Sequence, residues 1–205
     1  MVHTTGVLRI YGTQTSPYVR RVRIVAHELK LAHELIDTST EDGLEALRKV
    51  TPIWKIPVAE IDGVPVFDSA VINEMLLRLH GPGPLAPHDP HDVILRNAIT
   101  VIDGALDSLI NGFYLGKDGV TAETAAYMQK QQDRAASAMR WLEGRASEGW
   151  LTPTKSFGLA EIALCTALGW MRFRDTYAIE RHPALLRCFE QHSERKSLQA
   201  TQPPG

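Results

Sequence analysis

TPIWKIPVAEIDGVPVFDSAVINEMLLRLHG, residues 51–81, is the stretch that decides the fold. Pro52 disfavours a helical residue before it and so closes the short helix predicted for EDGLEALRKV, residues 41–50. Two short alternating runs then flank Asp62-Gly63, a dipeptide suited to a tight hairpin. From Ser69 the apolar residues change to helical spacing, and the run stops at Gly81, the residue type that commonly ends a helix. A hairpin therefore leads directly into a helix.

Upstream, GVLRIYG at residues 6–12 is rich in branched residues and predicts a strand. TSPYVRRVRIVAHELK follows, with Val19, Val22, Ile24, Val25 and Leu29 near helical spacing. Ser16 before Pro17 is a helix start: a capping hydroxyl, then a proline at the first helical position, where its missing N–H costs nothing. AHELIDTS, residues 32–39, supplies a second strand. Downstream, GPGPLAPHDP at residues 81–90 has the composition of a linker. Beyond it residues 91–116, about 120–148, 158–173 and 183–197 all predict helices, and the tail TQPPG is expected to be loose. The order is βαβα, a hairpin and a helix over residues 1–81, a linker at 82–91, and an all-helical domain over 92–205.

Composition removes several function classes. Of 205 residues, 44% are hydrophobic and 22% charged, with a formal net charge of −2, so there is material for a core but no footprint for nucleic acid or an acidic membrane. No apolar run is long enough to span a bilayer, and MVHTTGVLRIYG lacks the pattern of a secretory leader. A cytoplasmic protein is expected. The two cysteines, Cys165 and Cys188, have no metal-ligand spacing and are expected to be buried on C-terminal helices. The scattered histidines offer no metal set. Arg20, Arg21 and Arg23 are expected on a solvated helix face, with one of them pairing a carboxylate.

Three segments resemble the cytosolic glutathione transferases. They are YGTQTSPYVRRVRI, TPIWKIPVAEIDG and VFDSAVINEMLL, all within residues 11–81. The resemblance implies a thioredoxin-like N-terminal domain, a helical C-terminal domain, and glutathione as co-substrate without a metal. The Ser-Pro-Tyr helix start is similar to serine-type members, including tau-like and zeta-like enzymes. That likeness gives Ser16 the catalytic role of donating a hydrogen bond to the glutathione sulfur, with Thr15 and Tyr11 as alternates. Tyr11 reads first as an ordinary strand aromatic. No cysteine stands at the helix start, so little disulfide-exchange activity is expected.

In the second segment the likeness is to N-P-x-x-K-[VI]-P-x-L, with Thr51 and Ala59 as departures. It implies a cis bond before Pro57, which leaves the backbone of Ile56 to pair with the cysteinyl unit in the manner of an added strand. It also implies Lys55 on the glycyl carboxylate. In the third segment Ser69 would hold the γ-glutamyl carboxylate at a helix N-terminus, with Asp68 near the ligand's amino group. In SFGLAEIAL, Gly158 stands where the family's capping hydroxyl is usual, and Glu161 is expected to reach back to the cap's N–H. The implied activity is attack of the glutathione thiolate on a small apolar electrophile. That electrophile is expected between the domains, near Ile110, Phe113, Tyr114 and Trp170. A homodimer with helix 69–81 near its interface is also implied. A glutathione-dependent isomerase and a non-catalytic glutathione-binding module are the alternatives.

Overall fold

The computed structural model describes residues 7–204. Gly6, expected at the head of the first strand, the N-terminal residues before it, and Gly205 of the tail lie outside them. The described residues form two units, one containing residues up to 88 together with 194 onward, the other residues 89–193.

In the first unit the elements run β1 (Leu8–Gly12), α1 (Pro17–Glu28), β2 (His33–Asp37), α2 (Glu41–Val50), β3 (Val58–Ile61), β4 (Val64–Phe67) and α3 (Ser69–His80). The sheet order is β2-β1-β3-β4, with β1 parallel to β2 and both other pairings antiparallel. This is the thioredoxin-like βαβαββα arrangement. Asp62 and Gly63 both have positive φ, +52° and +76°, as a two-residue turn whose twist matches its strands demands. Gly12 ends β1 against α1: a Cβ there would lie 2.2 Å from Cγ2 of Val19, so only glycine allows the close approach.

The strand register sorts side chains between the two faces of the sheet. Tyr11 of β1 and Val58 of β3 lie opposite each other and join Leu47 of α2 in one buried cluster. Ile10 and Ala59, one residue on, belong to the opposite face, since successive side chains alternate.

At the C-terminus, residues 194–204 group with this first unit, not with the helices before them; of the tail, Thr201 is buried while Gln202 and Pro204 are exposed. α8 (Lys196–Ala200) packs on α1. Arg20 and Arg21 of α1 are buried, not solvated. Arg20 donates through Nη2 to the Leu198 carbonyl at 3.0 Å and through Nε to Thr201 Oγ1 at 3.4 Å. Arg195 makes a two-pronged bond to Glu28, at 2.6 and 2.8 Å, and Ser197 Oγ also donates to that carboxylate. The linker expected at 82–91 is likewise drawn in: the first unit runs through His88, Leu85 is buried, and His88 Nε2 lies 3.4 Å from Glu74 of α3.

The second unit is helical throughout its regular structure: α4 (Val93–Lys117), α5 (Ala126–Glu143), α6 (Leu159–Phe173), a 3-10 turn at Ile179–Arg181, and α7 (Pro183–His192). α6 is buried nearly all round, which makes it the unit's central element. Its start lacks a capping hydroxyl at Gly158, yet Glu161 accepts from the Gly158 N–H at 3.2 Å, as expected. The same carboxylate also accepts from the Thr152 N–H and hydroxyl, at 3.1 and 2.7 Å. Glu143 caps α7 from outside, accepting from the Ala184 and Leu185 N–H groups at 2.9 and 3.0 Å. Cys165 and Cys188 are buried and are not joined in a disulfide. Burial pushes the Cys188 thiol up to about 11.

Candidate active site

One end of the sheet gathers the residues that the sequence singles out. β1 ends at Gly12, opposite the start of β3, because Tyr11 pairs with Val58. β4 ends at Phe67, which also pairs with Val58. The chain therefore leaves β1 for α1, enters β3 from Pro57, and leaves β4 for α3 at the same edge. Ser16, Ile56 and Ser69 are brought to that edge by strand register alone.

Ser16 is the cap of α1, with extended backbone (φ −74°, ψ 125°) and Pro17 as the first helical residue. Its Oγ accepts from the Val19 N–H at 3.3 Å. Among the described residues its hydroxyl proton has no acceptor. The first turn of α1 contains no acidic residue, so its orphan amides keep their positive end uncompensated. Thr15 is half-buried, and its Oγ1 lies 3.4 Å from Thr13 Oγ1.

Tyr11 is differently employed. Its side chain belongs to the α2 face, in the cluster with Leu47 and Val58. The phenol donates to Glu60 Oε2 at 2.7 Å. Burial, reinforced by that carboxylate, pushes its pKa up to about 12.

The Ile56–Pro57 bond is cis, as expected. The Ile56 side chain packs on the Tyr11 cluster, and among the described residues no turn, loop or cap hydrogen bond occupies its N–H or C=O. Lys55 is exposed. Trp54 is exposed too, in the left-handed region at φ +52°, with the Arg48 guanidinium 5.2 Å from its ring centroid. Thr51, where the family pattern has asparagine, is buried, and its Oγ1 accepts from the Ile53 N–H at 3.4 Å. Ala59 is fully buried in β3. Both departures are thus accommodated locally.

Asp68 is the cap of α3, the ordinary role of Asp-Ser before an apolar helix. Its Oδ1 accepts from the Ala70 and Val71 N–H groups at 2.9 and 3.2 Å. Its backbone stands at φ +55°, ψ 157°, a region sparsely populated by residues other than glycine. Such a conformation costs roughly 1–3 kcal/mol and concentrates at ligand clamps. Ser69, buried as the first residue of α3, keeps its own N–H at the helix start.

In the helical unit, Phe113 meets Tyr114 edge-on with centroids 5.3 Å apart, and Trp170 at 5.8 Å. Trp170 is a buried core residue, Tyr114 is exposed, and Ile110 is half-buried. Among the described residues no group of three or more His, Cys, Asp or Glu is placed to hold a metal ion, and no helix is long and apolar enough to cross a membrane.

A thioredoxin-like domain with this strand order and this edge, followed by a helical unit, is the glutathione transferase fold. Residues 10–84 match the glutathione S-transferase N-terminal domain family. YibF, a GST-like protein of Escherichia coli K12, is 25% identical over 202 residues, covering 96% of this chain and 99% of its own. A glutathione S-transferase of Methylobacterium radiotolerans, solved with glutathione sulfonate, is 25% identical with a TM-score of 0.82, covering 98% of this chain and 96% of that one. A glutathione transferase family member of Pseudomonas fluorescens Pf-5, solved with bound glutathione, is 26% identical with a TM-score of 0.83, covering 97% and 100%. Residues 10–84 thus carry a glutathione S-transferase N-terminal domain, and the fold of the whole chain is that of the glutathione transferases.

Proposed function

We propose that the protein is a glutathione transferase in which Ser16 activates the glutathione thiol for attack on a small, mostly apolar electrophile. The observation that carries this reading is the Ser16 hydroxyl. It accepts one backbone bond at the head of α1 and has its proton left to give. A free thiol near pKa ~8.5 is only a few per cent thiolate at pH 7. A hydroxyl donor and the positive end of a helix favour the anion, and lowering the pKa to ~7 makes about half of it thiolate. The thiolate then forms the S–C bond as the electrophile's leaving group departs with the electron pair. No covalent enzyme intermediate is needed, and the protein supplies position and charge stabilisation.

The remaining groups would fix the tripeptide. Ile56 would pair its backbone N–H and C=O with the cysteinyl unit, as an edge strand pairs with a peptide. Lys55 would take the glycyl carboxylate. The Ser69 N–H and hydroxyl would take the γ-glutamyl carboxylate at the start of α3. Asp68 already satisfies the next two amides through one oxygen, which leaves the other for the ligand's ammonium. Relatives solved with glutathione sulfonate and with glutathione support a tripeptide ligand for this fold. The reading includes a homodimer, supported by three exposed apolar side chains, Val64 and Phe67 of the edge strand and Val71 of α3.

The test is turnover of glutathione with a generic aryl halide by the wild type, Ser16→Thr and Ser16→Ala. A hydrogen bond to a charged group is worth about 1.5–3 kcal/mol, so Ser16→Ala is expected to lose roughly 10- to 100-fold in kcat/KM. Ser16→Thr should retain most of it. Retention on immobilised glutathione without turnover would identify a binding module instead.

A further inference from the structure

The helical unit contains a cavity of about 270 Å³ near the C-terminal end of α4. Leu109 and Phe113 of α4, Val120 after it and Met128 of α5 form its apolar wall. Two polar residues interrupt that wall. Gln131 is buried, and Thr176 presents an Oγ1 that is buried without a hydrogen-bond partner among the described residues. A buried hydroxyl left unsatisfied costs about 1–3 kcal/mol, and native interiors seldom leave one so without a reason.

Phe113 adds a second, independent signal. Lys117 Nζ lies 4.5 Å from its ring centroid and the Arg174 guanidinium carbon 5.2 Å. Arg174 Nε is itself buried without a partner among the described residues. Neither cation is paired with a carboxylate among those residues. The acids beside them in sequence, Asp118 and Asp175, are exposed. An unspent hydroxyl therefore lines the cavity, and two cations without a carboxylate partner, one of them with an unspent N–H, sit against Phe113 of its wall. Its volume lies just under the usual ~300–1,000 Å³ of drug-sized sites, which suits a single ring.

We propose that this cavity binds a small aromatic carboxylate, its ring against Leu109, Phe113 and Met128 and its carboxylate received by Arg174, Lys117 and the Thr176 hydroxyl. The site lies wholly within the helical unit and needs no glutathione. Its success or failure is therefore separate from that of the transferase reading.

The experiment is a calorimetric and NMR titration of the full chain with benzoate and with benzamide, which keeps the ring and loses the charge. Benzoate should bind at least about 10-fold more tightly than benzamide, the value expected for a charge-assisted hydrogen bond. Arg174→Gln and Lys117→Gln should each reduce that preference, and Thr176→Val should weaken benzoate binding. Gly112 also lines the cavity, and a Cβ there would meet only Met128 Cε, at 3.8 Å. Gly112→Leu is therefore expected to fill the space and abolish binding of both probes with the helical circular-dichroism signal kept. If Gly112→Leu unfolds the protein, the Lys117→Gln comparison decides. Equal affinity for the two probes, benzoate binding unmoved by the charge variants, or no binding of benzoate would overturn the proposal.

Discussion

Two of the hydroxyls weighed for the glutathione sulfur, those of Ser16 and Tyr11, are separated by register. Tyr11 lies in β1 on the α2 face and gives its proton to Glu60. Ser16 caps α1 and keeps its proton. Tyr11→Phe is therefore expected to leave turnover within about two-fold. It should cost stability of about 1 kcal/mol for the lost hydrogen bond, measured by denaturant unfolding. A hundred-fold loss of turnover would move the catalytic role to the phenol. The capping role of Ser16 was legible because serine before proline is a local signal with a local cause. The burial of Arg20 and Arg21 was not. Arg20 meets Leu198 and Thr201, and no periodicity within residues 17–28 can announce a partner nearly the whole chain away.

Among the elements, α1 is held at both ends by different means. Its start is capped by its own sequence, and its C-terminal half is clasped by α8 through Glu28, Arg195 and Ser197. Burial alone would raise the Glu28 carboxyl, but the bonds from Arg195 and Ser197 outweigh it and hold it below the usual carboxylate range. A carboxyl lowered on folding stabilises the protein above its unfolded pKa, and that stability drains away as pH falls through the folded value. Wild-type stability should thus decline as pH is lowered below about 4.5, the ordinary value. Glu28→Gln should be less stable at neutral pH and show a shallower acid decline. Parallel urea titrations from neutral pH down to pH 3 would check this, and identical slopes would contradict it. Arg195→Ala leaves a nearly buried carboxylate without its main partner. Its expected cost is about 2–3 kcal/mol, under the ~3–5 of a wholly buried pair because Arg195 is partly exposed. The hairpin at Asp62-Gly63 and the helix stop at Gly81 were legible at this scale, since turn and cap chemistry sit in two or three adjacent residues. The α8 clasp was missed because residues 183–197 read as one helix, whereas α7 stops at His192 and α8 begins at Lys196.

For the whole molecule, the alternation of segment types and the Pro/Gly-dense stretch after Gly81 suffice to specify a thioredoxin-like part and a helical part. What they omit is the return of residues 194–204 to the first unit and its extension through His88, both built on long-range contacts. The proposed homodimer belongs to this scale. Light scattering at micromolar concentration is expected to give about twice the 22.8 kDa chain mass. Val71→Glu, at an exposed position of α3, should shift the population toward monomer. A monomeric wild type would contradict the dimer while leaving the glutathione site untouched. The proposed glutathione site hangs on three chain segments at one end of the sheet, and on a serine proton offered to sulfur. The most direct measurement is a pH titration of the bound glutathione thiol, followed by thiolate ultraviolet absorbance in the wild type and in Ser16→Ala. The account predicts a wild-type midpoint near ~7 and a shift toward the free-thiol value of ~8.5 when the hydroxyl is removed. Coincident titrations of the two proteins, with glutathione bound in both, would contradict it.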